Sequence, residues 1–234
     1  MKIIKNEKLI KRNSIIGQWT SIGALLVLGG GMYMSFSNPA NSNIVTYSIV
    51  ALVFGFILTQ VGMYMGNRWG RSPRPDEKID AALKGLPGDY TLYHFITPAS
   101  HLLVGPAGVW TLLPYRQRGV VTYTKNRWRV GNGGFMQTYM SIFGQEGIGR
   151  PDLEAGGEIA GLKRLFAKQQ LSEGELPELQ AALVFMHDEV DLQVTDTPMP
   201  AIKIKQLKDF MRQRAKDKPI SAMQLAAIKS ALPE

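Results

Sequence analysis

From residue 14 to residue 66 the chain carries no Asp, Glu, Lys or Arg. A water-soluble domain does not accommodate so long an uncharged stretch, because its helices and strands need polar faces toward solvent. All the charge of the 234-residue chain, 27 Lys and Arg against 19 Asp and Glu, falls in a short N-terminal tail or after Asn67. The chain is therefore built for two different solvents.

Residues 14–36 and 44–66 are each long enough as helices to cross a hydrocarbon core of roughly 30 Å, which takes about 20 residues. Between them, residues 37–43 read SNPANSN, an uncharged run of turn residues. The expectation is a transmembrane hairpin with 37–43 as its external loop. Lys2, Lys5, Lys8, Lys11 and Arg12 crowd the tail 1–13 against a single Glu7, and Arg68, Arg71 and Arg74 mark the linker 67–75. The loop has no cation, so the positive-inside rule places both termini in the cytoplasm of a multi-pass cell-membrane protein. Arg68, Arg71 and Arg74 are assigned to lipid headgroups.

Trp19, Tyr33, Tyr47, Tyr64 and Trp69 fall near the expected interfaces. Gly17, Ser21, Gly29, Gly30, Gly31, Gly55, Gly62 and Gly66 offer small surfaces for close helix approach. Gln60 is the one notably polar side chain of the second span, which argues against an ion pathway. A cleaved signal peptide is the competing reading. The length of the first apolar run and the second run close behind it argue against that.

The tail supplies +4 of the +8 net charge, so the basic balance says little about partners of the rest. With no cysteine, disulfides, thiolate nucleophiles and Cys-ligated metals are excluded.

Residues 76–234 read as one cytoplasmic α/β (α+β) domain. Ile79, Ala82, Leu83 and Leu86 form one helical face. Short β-like runs follow at 90–96, 101–104, 109–113, 119–124 and 127–130, with Gly105-Pro-Ala-Gly108 as a hairpin turn. A helix is expected over 152–170, with Ile159, Leu162, Leu165 and Phe166 on its stripe. Strands are expected at 181–186 and 201–204, then a helix carrying Leu207, Phe210 and Met211. Ser221-Ala-Met-Gln224 is a capping-box pattern that opens a last helix.

The 21 residues from Ala99 to Gly119, ASHLLVGPAGVWTLLPYRQRG, resemble the core of the nuclease-related domain (NERD) family of the restriction-endonuclease-like superfamily. That family reads there as Asp-His, an apolar strand, a Gly-containing turn, a strand carrying Glu-x-Lys, and a closing Gly. The spacing fits without a gap, and looser similarity extends over residues 75–215. The resemblance implies a restriction-endonuclease-like fold and a Mg²⁺ site built from carboxylates at the ends of two adjacent strands. In this chain Ser100 stands at the Asp, Leu113 at the Glu and Tyr115 at the Lys. Leu cannot ligate a cation, and neutral Tyr lacks the charge of Lys. The resemblance thus implies a pseudoenzyme, with Glu77, Glu154 and Glu158 as residual acidic candidates from neighbouring helices.

No HxxxH or HExxH spacing joins His94, His101 and His187, so no metal centre is expected. Ser100 and His101 are adjacent on a strand and point to opposite faces. Arg116, Arg118, Lys125, Arg127 and Arg129, with Tyr123 and Trp128 interleaved, are the densest basic stretch. They read as a solvated sheet face, with phosphate contact the alternative. The Gly-rich runs at 131–134 and 144–149 match no nucleotide-binding loop. The functional expectation is a membrane-anchored interaction or scaffold protein without a cofactor, whose partner is a second copy or another protein. The alternative is a membrane-tethered nucleic-acid-binding protein or Mg²⁺-dependent nuclease with relocated acidic residues.

Overall fold

The computed structural model describes residues 1–37, 41–131, 147–171 and 176–233. The chain forms two compact units, Asn6–Arg74 and a second made from Met1–Lys5 together with Pro75–Glu234.

The first unit holds two helices long and apolar enough to cross a membrane, α1 (Glu7–Ser37) and α2 (Ser42–Met65). Asn6 caps α1, its side chain accepting from Leu9 N at 3.0 Å, and Asn41 caps α2. Of the expected loop at 37–43, residues 38–40 lie outside the described residues. The buried positions are Ile10, Gly17, Ala24 and Gly31 on α1 and Ser48, Gly55 and Gly62 on α2. Each set repeats every seven residues, the spacing of a left-handed antiparallel pair with small residues at the seam. A Cβ on Gly31 would lie 2.9 Å from Ala51 Cβ, and one on Gly55 2.7 Å from Leu28, so the backbones approach closely there. Leu25, Leu26, Tyr33 and Phe36 face outward at 70–74% exposure.

Two boundaries differ from the sequence reading. The tail 1–13 is not a separate segment, because Lys2–Lys5 form a strand of the domain and α1 already starts at Glu7. The linker 67–75 is shorter than expected, since a π-helical turn at Gly66–Gly70 continues α2. In that turn Arg68 Nη1 donates to the Tyr64 hydroxyl at 3.0 Å, and its guanidinium lies 5.0 Å from the Trp69 ring centre.

The domain runs, in chain order, β1 (Lys2–Lys5), α3 (Pro75–Leu83), β2 (Thr91–His94), β3 (His101–Gly105), β4 (Gly108–Tyr115), β5 (Val120–Thr124), β6 (Arg127–Gly131), α4 (Pro151–Lys168), β7 (Leu179–Phe185), β8 (Asp191–Gln193), β9 (Ala201–Lys203), α5 (Leu207–Asp217) and α6 (Ala222–Ser230). The main sheet has the order β1-β2-β3-β4-β7-β9, and β6-β5-β8 form a smaller one. Strands β2, β3 and β4 are an antiparallel meander, whereas β1–β2, β4–β7 and β7–β9 are parallel. The domain is therefore α/β with a mixed sheet. The β3–β4 turn falls at Pro106-Ala107 with Gly108 at φ +106°, a conformation that favours glycine. Lys125 and Asn126, both at positive φ, close β5–β6 as a two-residue hairpin turn.

Strand alternation sorts the core. Leu92, Leu103, Trp110, Leu112, Ala182 and Val184 pack with Ile79 and Leu83 of α3 and Leu207 and Met211 of α5. Tyr93, Leu102, Val104 and Val109 pack with Leu162 and Phe166 of α4 and Ile228 of α6. Leu113, Tyr115, Leu183 and Phe185 meet the smaller sheet at Val121 and Trp128. Each fully buried side chain of this size contributes about 1.5–3 kcal/mol. The capping box at Ser221 and Gln224 is formed.

Candidate functional site

Along β4 the side chains alternate, so Thr111, Leu113 and Tyr115 share one face. Ser100 directly precedes β3, which pairs with β4 through Leu102↔Thr111. The positions that the resemblance marks as catalytic thus lie together, at the start of β3 and on β4. Helix α4 covers them. Its Glu158 accepts from Ser100 N at 3.1 Å through Oε1 and from the Thr111 hydroxyl through Oε2. One turn earlier, Glu154 accepts from the Tyr115 hydroxyl at 2.7 Å.

Close packing sets this geometry. A Cβ on Gly161 would lie 2.7 Å from Pro98 Cβ, so the bare glycine lets α4 reach the 95–100 segment. Burial, followed by the hydrogen bond to Glu154, pushes the Tyr115 hydroxyl far above its ordinary pKa. Tyr115 is a neutral donor and cannot stand in for the cationic Lys.

These residues do not fit Mg²⁺. Leu113 is 1% exposed and offers no ligand, both oxygens of Glu158 are engaged by donors, and Glu154 holds Tyr115. Glu77 lies on α3, which packs on the opposite face of the sheet from α4. Among the described residues no group of three or more His, Cys, Asp or Glu side chains is placed to hold a metal ion.

The other face carries a polar cluster that sequence reading missed. His94 and His101 are paired across β2 and β3, with Nδ1 to Nδ1 at 2.6 Å. His94 Nε2 lies 3.0 Å from Asp80 Oδ1. With the Asp80 carboxylate as acceptor, His94 donates from Nε2 and accepts at Nδ1 the hydrogen bond from His101 Nδ1–H. Lys5 of β1 completes the set, bonded to Asp80 and lying 3.3 Å from Asp76, whose side chain is fully buried. Burial pulls the Lys5 pKa down, but Asp80 and Asp76 outweigh it and the net shift is upward. The signal was the alternation in YHFITPASH, which places both histidines on one face once the register is known.

Of the basic residues, Lys125, Arg127 and Arg129 are exposed on the β5–β6 hairpin, and Arg116 and Arg118 on the connector after β4. The interleaved aromatics do not join them. Trp128 is buried in the core, and the partly buried Tyr123 packs against it with ring centres 5.0 Å apart at a tilt of 52°. Arg71 and Arg74 follow the π-helical turn, with Arg71 exposed. The Gly-rich runs at 132–134 and 144–146 lie outside the described residues. No protein-family model, no curated protein and no solved structure matches the chain.

Proposed function

We propose that this protein is a membrane-anchored cytoplasmic interaction module whose domain has a nuclease-related, restriction-endonuclease-like core turned to a structural purpose. One observation carries the reading. Glu154 and Glu158 are spent on Tyr115, Thr111 and the Ser100 amide, so they fasten α4 to the sheet instead of gathering around a cation. The placing of Ser100 and of Leu113 and Tyr115 on neighbouring strands supports the family resemblance.

The membrane reading draws on α1 and α2, whose outward side chains are mostly apolar and exposed, as lipid-facing residues are. The cation-free turn between them supports cytoplasmic termini. The chain has no cysteine, so single substitutions report topology cleanly. Ser42→Cys is expected to react with a membrane-impermeant maleimide from outside intact cells, and Lys216→Cys only after permeabilisation. The reverse pattern overturns the orientation.

A nuclease remains the second reading, favoured by the fact that Glu154 and Glu158 do reach the motif positions. The full chain is the substrate for the test, because residues 1–5 belong to the domain. With Mg²⁺ or Mn²⁺ and single- or double-stranded DNA or RNA, no cleavage is expected. Cutting that disappears in Glu154→Gln/Glu158→Gln would establish the nuclease instead.

A further inference from the structure

Cations from several elements converge on the turn after β7. Lys78 of α3 donates to the Met186 carbonyl at 3.2 Å, and Lys203 of β9 to the Asp188 carbonyl at 3.4 Å. Lys205 pairs with Asp188 at 2.7 Å and Arg118 with Glu189 at 3.9 Å. Arg116 is brought alongside by register, since Tyr115 pairs with Phe185 and accepts from Met186 N at 2.8 Å. Asp191 N bonds to Gly119 O at 2.9 Å. The connectors 116–119 and 186–190 are thereby held side by side at the carboxyl ends of parallel β4 and β7, the kind of edge where open α/β sheets take ligands.

Among the described residues, Lys78, Arg118, Lys203 and Lys205 gather at this turn with the carboxylates of Asp188 and Glu189. The pairs of Lys205 with Asp188 and Arg118 with Glu189 are solvent-exposed and contribute little, so they yield readily to a competing anion. An ammonium has three donors and a guanidinium five, so one carbonyl bond leaves capacity on each lysine. The geometry points to a binding site for a compact phosphomonoester dianion, formed by Lys78, Arg118, Lys203 and Lys205 at the turn that carries His187. A nucleic-acid strand fits less well, because the cations focus on one short turn and, among the described residues, Trp128 of the basic hairpin faces the core.

His187 is the built-in reporter. Burial lowers its pKa, and Arg118, Lys78 and Arg116 lower it further, against an opposing effect of Glu189. A bound dianion offsets those cations, so binding raises the His187 pKa. The site stands on the domain alone, independent of how α1 and α2 meet a bilayer.

The test is an NMR titration of the full chain, histidine-labelled, in zwitterionic micelles; the chain has only three histidines. Three probes are compared at constant ionic strength: inorganic phosphate, glycerol phosphate, and phosphatidic acid mixed into the micelle. A rise of about one pH unit in the His187 midpoint is expected, the size an opposite charge a few Å away produces. The rise should vanish in Lys78→Gln/Lys203→Gln and shrink in Lys205→Gln, whose exposed side chain leaves folding intact. Response to both soluble probes assigns a soluble ligand, and response to phosphatidic acid alone assigns a lipid headgroup; either supports the site. The proposal is overturned by no shift with any probe, by an equal shift with chloride, by a shift surviving all three substitutions, or by binding confined to oligonucleotides.

Discussion

A carboxylate that accepts one backbone N–H and one hydroxyl, as Glu158 does from Ser100 and Thr111, has both oxygens engaged. Glu158→Gln sets an amide N–H₂ against one of those donors, leaving a part-buried group unsatisfied. The expected cost is about 1–3 kcal/mol, a fall of several degrees in Tm by thermal scanning. A catalytic glutamate predicts the opposite, unchanged stability with activity lost. His187 gives a second prediction at this scale. Its folded pKa lies below the unfolded value of 6.5, so between the two the unfolded chain binds more protons and stability rises with pH. Stability therefore declines as pH falls through and below about 6.5, and His187→Gln removes that part of the slope in Tm measured from about pH 5 to 7. Ser100, Leu113 and Tyr115 could be singled out from residue identity alone. The hydrogen bonds around them could not, because they join residues 47 and 58 positions apart.

At the scale of elements, glycine positions decide which faces meet. Gly17, Gly31, Gly55 and Gly62 all face the partner helix, whereas a Cβ on Gly29, Gly30 or Gly66 meets nothing within 4 Å. The sequence showed a supply of small residues; only the seven-residue spacing of the buried ones separates seam from outer surface. Gly55→Leu is expected to part α1 from α2, and Gly30→Leu to leave them paired. Thermal unfolding of the helices in micelles would register the difference, with an unchanged Tm in the Gly30 variant and a lowered one in the Gly55 variant. In the domain, Gly161→Ala should lower stability although alanine is the better helix former by about 1 kcal/mol, because its Cβ runs into the rigid Pro98 ring. Helices α3 to α6 and most strands followed from apolar periodicity and turn residues. The exceptions are β1, whose charge reads as a basic flank, and β8, which is three residues long and begins and ends in polar side chains, too short for alternation to register.

The whole molecule turns on the five residues before α1. As sequence, Lys2-Ile-Ile-Lys5 is part of a basic flank, and its charge suits the positive-inside pattern well enough to hide its second property. As structure it is an edge strand, parallel to β2, with Ile4 packed against the core on one face and Lys5 bonded to Asp80 on the other. The domain is thus joined to the α1–α2 unit at two points of the chain, after Lys5 and before Pro75. Replacing residues 2–5 with Gly-Ser-Gly-Ser should leave α1 and α2 unaltered, since Asn6 still caps α1. The domain would lose four ladder pairs, and buried Asp76 would lose its nearest lysine. Breaking a part-buried ion pair and an edge ladder together is expected to cost about 3–5 kcal/mol. Hydrogen exchange would show it as faster exchange of the β2 amides with α2 unchanged. Adding a peptide of residues 1–6 should restore protection, because a sheet edge accepts a matching strand in trans. Unchanged β2 protection in the replaced chain would mean that β1 is a passenger on the sheet, adding nothing to the stability of the strands beside it.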